Sequence, residues 1–387
     1  MSIKNNWQIK KLDDACNVKY GTRVVNKQDG GSVFPVYGGG GATFFVDEYN
    51  RENCMVVARF AMSERCTRFI KGKFFLNDSG LTVLPKSTKE ILQEFLDYQL
   101  ILLNDHIYSL ARGSAQKNLD MPAFRKVGIS YPESLAEQKR IVGILDEVFE
   151  KIVKAKENTE KNLQNSKELF ESYLQNVFTN PSGCWGEKTF DELVESNVIG
   201  LVRNTREQKP DYQYKYVKMN NITRDNQFDL TKYVRVNANK LETEKFNLQV
   251  GDFLFNTRNS HELVGKTCVF RGDDESDLLY NNNIMRVRFK SHINSYFINY
   301  EFSSKQIIKK LGHLKSGTTN VSAIYYKDLK NLKLLIPALS EQKSIVAKLD
   351  ALSEQTKKLE AIYKQKLADL DELKKSVLKR AFEGKLE

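Results

Sequence analysis

The sequence lacks the features of several large classes of protein. Its five cysteines are scattered and none forms a Cys-x-x-Cys pair: Cys16, Cys54, Cys66, Cys184 and Cys268. An odd number of unpaired cysteines is typical of reduced thiols in a cytoplasm and disfavours a disulfide framework or a zinc site. No apolar run approaches the roughly 20 residues that cross a bilayer, and the first residues lack the apolar core of a secretory signal. We therefore expect a cytoplasmic protein without a membrane partner.

The sequence also lacks the motifs of common catalytic sites. Its histidines have no metal-ligand spacing: His106, His261, His292 and His313. It contains no Gly-x-x-x-x-Gly-Lys-Ser/Thr loop, no Gly-x-Gly-x-x-Gly and no Gly-x-Ser-x-Gly. The Asn/Asp-Pro-Pro-Tyr string with which amino-methyltransferases grip a flipped base is absent, and the run Asp273-Asp274-Glu275 is more typical of solvated charge than of a metal site. These absences favour a binding protein that is not an enzyme.

What the sequence does contain is an internal repeat. The segment from Leu135 to Phe178 returns 204 residues later, from Leu339 to Phe382, without a gap, and 16 of the 44 aligned residues are identical. Repeats this clear define the architecture of a chain before any other feature does. Both copies open with Leu-x-Glu-Gln-Lys-x-Ile-Val and continue as helical patterns, each roughly 66 Å long at 1.5 Å per residue.

Each copy carries an apolar seam with the spacing of a coiled coil. The predicted seam residues are Ile141, Leu145, Val148, Ile152, Leu163, Leu169, Tyr173 and Val177 in the first copy, and Ile345, Leu349, Leu352, Leu359, Tyr363, Leu370, Leu373 and Val377 in the second. Polar residues interrupt the seam at Thr159, Asn162 and Lys366, where they either fix the register or are tolerated imperfections. Because a long apolar stripe needs a partner, we expect the two copies to pair antiparallel.

The net charge of +11 is unevenly distributed. Residues 1–131 carry 18 Lys and Arg against 13 Asp and Glu, and residues 179–336 carry 24 against 18. The remaining residues, which hold the repeats, carry 18 of each sign. Basic globular segments favour a polyanion such as nucleic acid as the partner, although a generally basic surface would give the same excess.

The two basic segments resemble each other in the order of their predicted elements. Each begins with a tryptophan, Trp7 or Trp185, and contains several strands and one amphipathic helix, predicted at 91–110 and 296–314. A short polar loop and a strand follow before the long helix. The strand predicted at 284–289 alternates as if one face were exposed. We predict an α+β fold with two similar mixed α/β domains, separated by two long helices that form an antiparallel coiled coil in a pseudo-twofold repeat.

Candidate binding residues of the first segment lie in its loops. They are Tyr20, Arg23, Arg59, Arg65, Arg112, Ser114, Gln116, Lys117 and Asn118. Arginines can reach phosphates or guanine edges, and Ser, Gln, Lys and Asn bond phosphates and base edges, although solvated side chains would give the same pattern. The tract Gly38-Gly39-Gly40-Gly41 predicts either a tight turn or a loop lying against a DNA backbone.

The second segment has a matching polar loop around Gly317. Its candidate residues are Arg258, Asn259, Lys266, Lys315, Thr318, Thr319 and Asn320. One polar loop alone carries little information. Two loops at corresponding places in a duplicated chain predict a shared role.

Several motifs together resemble a known family. They are the Leu135-x-Glu137-Gln138-Lys139-x-Ile141-Val142 string and its copy at 339–346, Gly113 with Asn118, Gly317 with Asn320, Gly251-Asp252 with Val264-Gly265-Lys266, and the closing run 381–386. The pattern, which covers nearly the whole chain, resembles the specificity subunit of type I restriction-modification systems. The residues alone predict a binding protein with two similar basic modules, and the resemblance indicates the family to which such a protein would belong.

The resemblance implies a function and partners. Residues 1–132 and 180–337 would be target-recognition domains, each reading one half of a bipartite, asymmetric site on double-stranded DNA. The helices, at 133–179 and 338–387, would set the spacing and dock two methyltransferase subunits. Those subunits would use S-adenosylmethionine, and restriction subunits that use ATP and Mg²⁺ would join for cleavage. This chain would bind no cofactor or metal.

Two other functions remain compatible with the residues alone. A coiled-coil scaffold whose two modules bind protein would have the same architecture, but it would bind DNA without regard to sequence. A nuclease with an unrecognised site would cleave DNA in a metal-dependent way as the isolated chain.

Overall fold

The computed structural model describes residues 6–181, 183, 185–272 and 277–386. Cys184 and the acidic run at 273–275 lie outside the described residues, as do the predictions made for them. The chain forms two compact units, one from the residues up to 161 together with those from 363, and one from residues 162–362. Both long helices contribute to both units.

The first unit is built on strands β1 to β10 and five short helices. The strands are β1 (Trp7–Lys11), β2 (Cys16–Tyr20), β3 (Phe34–Tyr37), β4 (Ala42–Val46), β5 (Arg51–Ala58), β6 (Thr67–Leu76), β7 (Gly80–Pro85), β8 (Ala111–Arg112), β9 (Asn118–Leu119) and β10 (Gly128–Pro132). The helices are α1 (Leu12–Ala15), α2 (Asn26–Asp29), α3 (Gln93–Leu102), α4 (Asn104–Ser109) and α5 (Met121–Arg125), followed by the long α6 (Leu135–Thr179). Six strands form a mixed sheet in the order β2-β7-β5-β6-β3-β4, and β1–β10 and β8–β9 are antiparallel pairs.

The second unit contains β11 to β22 in four smaller sheets. The strands are β11 (Gly186–Thr189), β12 (Val194–Ile199), β13 (Tyr214–Val217), β14 (Val234–Val236), β15 (Phe253–Asn256), β16 (Arg258–Asn259), β17 (Thr267–Val269), β18 (Leu278–Tyr280), β19 (Ile284–Phe289), β20 (Ser316–Gly317), β21 (Ser322–Ala323) and β22 (Lys333–Ile336). The helices are α7 (Phe190–Leu193), α8 (Lys240–Phe246), α9 (Ser295–Phe302), α10 (Lys305–Leu314), α11 (Tyr326–Leu329) and the long α12 (Leu339–Phe382). The sheet orders are β12-β19-β15-β17, β14-β13-β18, β16-β21-β20 and β11-β22.

Two predictions about local structure are wrong. Each amphipathic helix is divided into two, α3 with α4 and α9 with α10. The Asn104 side chain at the first break accepts a hydrogen bond from the Thr67 backbone N–H, and Ser304 caps the start of α10. The strand predicted to have an exposed face, β19, lies between β12 and β15 and buries its first four residues. Its Arg286 is buried because the guanidinium donates to the carbonyls of Lys245 and Asn247.

The two long helices have the predicted extent and pair antiparallel within the first unit. Arg140 Nη2 donates to the Leu386 carbonyl at 3.1 Å, the Lys374 ammonium lies 4.7 Å from the Phe149 ring centroid, and Lys156 pairs with Asp371. Residue numbers rise on one helix as they fall on the other, which confirms the predicted orientation.

The predicted seam is only partly right. Ile141, Leu145 and Ile152 are buried, but the predicted seam residues Leu169 and Leu373 are 56% and 47% exposed. Each helix also packs against a globular core, so its buried stripe follows that core as well as the other helix.

A buried glutamine joins the start of α6 to the first unit. Gln138 is fully buried, and its Oε1 accepts a hydrogen bond from the Leu92 N–H at 2.8 Å. Its Nε2 donates to the carbonyls of Glu90 at 2.7 Å and Pro132 at 2.9 Å. One side chain therefore satisfies three backbone groups that would otherwise be buried without partners.

The second copy repeats this arrangement in the second unit. Gln342, which is 204 residues further on, is also fully buried. Its Oε1 accepts from the Asn294 N–H at 2.8 Å, and its Nε2 donates to the carbonyls of Pro337 at 2.8 Å and His292 at 3.3 Å. The glutamine of the repeated Glu-Gln-Lys string is therefore structural.

Each unit also holds the end of the other long helix in an aromatic cluster. In the first unit, Phe382 of α12 packs against Phe95 and Trp7, with ring centroids 4.9 and 6.3 Å away. In the second, Phe178 of α6 packs against Phe297 at 5.4 Å and Trp185 at 6.1 Å. Each unit thus binds the start of one long helix and the end of the other.

Replacing Gln138 with leucine should destabilise the first unit by about 2–4 kcal/mol, because three buried backbone groups lose their partners. Gln164→Leu is the matched control, since Gln164 is exposed on the same helix and should change stability by less than about 0.5 kcal/mol. Urea unfolding of the full chain, followed by circular dichroism, measures both. Equal midpoints for the two variants would contradict the anchoring role.

Candidate nucleic-acid interface

The polar loop of the first unit is a β-hairpin. Strands β8 and β9 pair Ala111 with Leu119 and Arg112 with Asn118. The corner is Gly113, whose φ of +110° is a conformation that residues with a Cβ rarely adopt. A Cβ there would lie 2.2 Å from the Gln116 carbonyl oxygen, so glycine is required on both grounds.

The segment that holds Arg59 lies directly beside this hairpin. The Leu119 N–H donates to the Arg59 carbonyl at 2.8 Å, and the Met62 N–H donates to the Lys117 carbonyl at 2.9 Å. Between them Ala61 has a φ of +47°, and its N–H donates to Asn118 Oδ1 at 3.3 Å. The structure therefore brings together candidate residues from two separate stretches of sequence.

Arg59 and Tyr20 are in contact. The Arg59 guanidinium carbon lies 4.8 Å from the ring centroid of Tyr20 and 4.5 Å from that of Phe60. Similarly, the Lys117 ammonium lies 4.5 Å from the Tyr108 ring centroid and donates to its hydroxyl at 3.0 Å. Phe60 and Tyr108 were not among the residues predicted from sequence. The adjacency of Arg59 and Phe60 was a usable signal, but nothing local linked Tyr108 to Lys117.

The other candidates of the first unit differ in their surroundings. Ser114, Gln116 and Arg23 are exposed. Arg112 forms an ion pair with Asp120 at 2.5 Å while 81% of its side chain remains exposed. Arg65 is exposed, and its charge contributes, more weakly than Lys156, to holding the pKa of the Asp371 carboxyl below its usual value.

The glycine tract forms a turn, as one of its two interpretations predicted. Tyr37 pairs with Ala42, so Gly38 to Gly41 connect β3 to β4. A Cβ on Gly39 would lie 2.3 Å from the Phe60 carbonyl oxygen. Arg68, another residue outside the predicted set, donates to the carbonyls of Gly39 and Gly40. The turn packs against the Arg59 segment and supports it.

The second unit has a hairpin of the same kind. Strands β20 and β21 are joined through Gly317, whose φ is +115° and whose added Cβ would lie 2.4 Å from the Val321 carbonyl oxygen. Strand β16 pairs with β21, so Arg258 lies opposite Ala323 and Asn259 opposite Ser322. An arginine-bearing segment again lies beside the second strand of a hairpin with a glycine corner.

The candidate side chains of this hairpin are mostly exposed. Thr318, Thr319, Asn320 and Arg258 face solvent. The Lys315 ammonium donates to the His261 carbonyl at 2.7 Å, so one of its donors is used within the unit.

Two further candidates have internal roles. Asn259 donates to Asn256 Oδ1 at 2.9 Å and accepts from the Ser260 N–H. The Lys266 ammonium donates to the carbonyls of Met219 and Ile222, and partial burial lowers its pKa. Both side chains are already occupied in this structure, which makes them the weakest candidates for outside contacts.

The two hairpins are related by the repeat. Gly113 and Gly317 differ by 204 residues, which is the offset of the long helices. The duplication therefore extends from the helices into the loops that precede them.

The described residues hold no group of three or more His, Cys, Asp or Glu side chains that could bind a metal ion. Burial raises the pKa of the Cys16 thiol to about 12 and that of Cys66 to about 11, which leaves both thiols protonated and unreactive. No helix in the described ranges is long and apolar enough to span a membrane.

Comparison with known proteins identifies the family. The model of the type I restriction modification DNA specificity domain matches residues 4–164 and 183–368. The specificity subunit of the type I restriction enzyme EcoKI from Escherichia coli K12 is 26% identical over 298 residues, which cover 74% of this chain and 63% of that protein. The putative MjaX specificity subunit from Methanocaldococcus jannaschii is 32% identical over 194 residues, 48% of this chain and 44% of that protein. The chain thus spans less than two thirds of the length of these relatives.

Solved structures share the fold. One is a chain from a study of complex assembly and conformational transition in the type I restriction-modification system, with a TM-score of 0.76, 18% identity and 99% coverage of both chains. Another is the HsdS subunit from Thermoanaerobacter tengcongensis, with a TM-score of 0.58, 18% identity, and coverage of 99% of this chain and 98% of that one.

The fold is thus that of a two-unit protein built on paired long helices. The chain belongs to the family of type I restriction-modification DNA specificity proteins.

Replacing Gly113 or Gly317 with alanine should loosen the corresponding hairpin, because an alanine at a φ above +100° costs about 1–3 kcal/mol and its Cβ meets a carbonyl oxygen. Gly143→Ala is the control: it lies exposed within α6, its added Cβ meets nothing within 4 Å, and alanine should slightly stabilise the helix. Hydrogen exchange at residues 111–119 and 316–323 measures the effect. The prediction fails if each variant exchanges like the wild type.

Proposed function

We propose that this chain is the DNA-sequence-specificity subunit of a type I restriction-modification complex. Each unit reads one half of a bipartite, asymmetric site on double-stranded DNA. The long helices set the distance between the halves and dock two methyltransferase subunits, to which restriction subunits bind for cleavage. The complex works in the cytoplasm, where bacterial DNA lies.

One observation supports this function most strongly. A glycine-cornered hairpin lies beside an arginine-bearing segment in each unit, and the two hairpins are separated by the same 204 residues as the long helices. The major groove of DNA admits a two-stranded β-ribbon, so a hairpin of this width can reach base edges. Two such hairpins in one chain suit a site with two separate halves.

The charge distribution suits the same function. The basic excess lies in the segments that hold the hairpins, while the residues of the repeats are neutral overall. Lysines and arginines there would contact phosphates and supply most of the affinity, in a salt-dependent way. Side chains at the hairpins would then supply the choice of base.

In this proposal the partner subunits carry out the catalysis. S-adenosylmethionine would bind the methyltransferase subunits, and ATP and Mg²⁺ the restriction subunits. This chain would supply only the recognition of the DNA sequence.

The long helices carry a pair of surface patches that suits two copies of one partner. Glu168, Leu169 and Ser172 are exposed on α6. Their counterparts 204 residues later, at 372, 373 and 376, are the same residue types and are also exposed. Several other identical residues of the repeat are buried or paired within the units, such as Gln138, Leu145 and Glu150, whereas both of these leucines are about half exposed.

A contact with a partner explains why the leucine is present in both copies. Each patch lies in a different unit, so each could receive one methyltransferase subunit.

Leu169→Lys and Leu373→Lys should each remove one methyltransferase copy, because a charge replaces the apolar centre of one patch. The double variant should lose both copies. Native mass spectrometry of the reconstituted complex counts them. Ile362→Lys is the matched control: Ile362 is 58% exposed on α12, but its counterpart in the other copy is Asn158, so both subunits should remain bound. Single variants that keep two copies would exclude these patches.

The function itself is tested by sequencing methylated bases in the host with and without this gene. We expect the loss of one split N6-methyladenine motif in the deletion strain. A protein scaffold or a nuclease would leave the methylation pattern unchanged, and that outcome would contradict the proposal.

A further inference from the structure

Arg59 is held in place without using its hydrogen-bond donors. Its guanidinium carbon lies 4.8 Å from the ring centroid of Tyr20 and 4.5 Å from that of Phe60. Among the described residues, no side-chain hydrogen bond or ion pair involves this guanidinium, and part of the residue is open to solvent. The five N–H donors of this planar group therefore have no partner in the described part of the protein and are available to a ligand.

Four other arginines of the first unit are different. Arg51 donates to the carbonyls of Asn50 and Tyr20, and Arg68 donates to carbonyls of the glycine turn. Arg112 is paired with Asp120, and Arg125 with Asp13. Each of these guanidinium groups donates hydrogen bonds to, or pairs with, atoms of its own unit.

The backbone under Arg59 is fixed on both sides. Its N–H donates to the Ser79 carbonyl at 2.8 Å, and its carbonyl accepts from the Leu119 N–H of the hairpin at 2.8 Å. The next carbonyl, that of Phe60, packs so closely against Gly39 that no Cβ fits there. The backbone that carries the side chain is thus fixed before any ligand arrives, and the contacts with two rings restrict the side chain itself, which reduces the entropy lost on binding.

We infer that Arg59 is a specificity-determining residue of the first unit and that it recognises a guanine through paired hydrogen bonds to O6 and N7. This inference rests on the proposed function. A planar fork matches the two acceptors of guanine in the major groove, whereas a lysine ammonium cannot satisfy both in the same geometry. Tyr20 and Phe60 are positioning residues that hold the fork in plane. The half-site of the first unit therefore contains a guanine at one fixed position.

The test uses the complete methyltransferase complex and a duplex library randomised over the recognised motif. With the wild-type chain, one position should require guanine. Arg59→Lys should lower the preference at that position by about 5- to 150-fold and leave the other positions and the other half-site unchanged. Tyr20→Leu should lower the preference at the same position by a smaller factor, because the arginine remains but is less well held.

The control is Arg206→Lys, an exposed arginine of the second unit that belongs to neither hairpin and should change no base preference. Arg59→Lys is expected to unfold at the wild-type temperature, since no hydrogen bond or ion pair of the side chain is lost. The inference is overturned if Arg59→Lys keeps every preference, if it weakens all sequences equally as a phosphate contact would, or if the half-site contains no guanine. A wild-type complex without any motif would instead refute the proposed function.

Discussion

The buried glutamine amide at the start of each long helix is the interaction on which the rest of the architecture depends. Gln138 and Gln342 each satisfy one N–H and two carbonyls in segments that would otherwise leave polar groups buried and unpaired. Such groups cost about 1–3 kcal/mol each when they lack partners, so the position tolerates few side chains. The glutamine fixes where the helix begins, and with it which residues of the helix meet the core.

A second constraint acts at the other end of each helix. Phe382 packs with Trp7 and Phe95 in the first unit, and Phe178 packs with Trp185 and Phe297 in the second. Each core is therefore completed by residues from both helices. A duplicated chain can satisfy both constraints twice, which explains why glutamine and phenylalanine are identical in the two copies while much of the intervening helix has diverged.

The elements with strong periodicity were predictable from sequence. The long helices, the duplication and the presence of two polar loops follow from spacing, glycine positions and residue type alone, whereas the strand pairing that makes each loop a hairpin does not. The divided amphipathic helices were not predictable, because the break at Asn104 depends on a hydrogen bond to Thr67 in a distant strand. The burial of Arg286 depends likewise on carbonyls about 40 residues away.

The candidate interface was likewise predictable only in part. Residue type indicated Arg59, Lys117 and the hairpin residues, but only the fold brings Arg59 into contact with the rings of Tyr20 and Phe60. Lys266 was selected by residue type as well, yet its ammonium is occupied by two carbonyls. The sequence shows which side chains carry hydrogen-bond donors, whereas the packing determines which of these donors lack a partner within the protein and can reach a ligand.

Under the proposed function, each unit reads its own half of the DNA site while the helices set the gap. The most direct measurement replaces residues 1–131 with the corresponding segment of a specificity subunit of different, known target and then sequences the methylated bases. One half of the motif should change to that of the donor, while the other half and the gap stay the same. A motif in which both halves change, or in which neither does, would contradict the account.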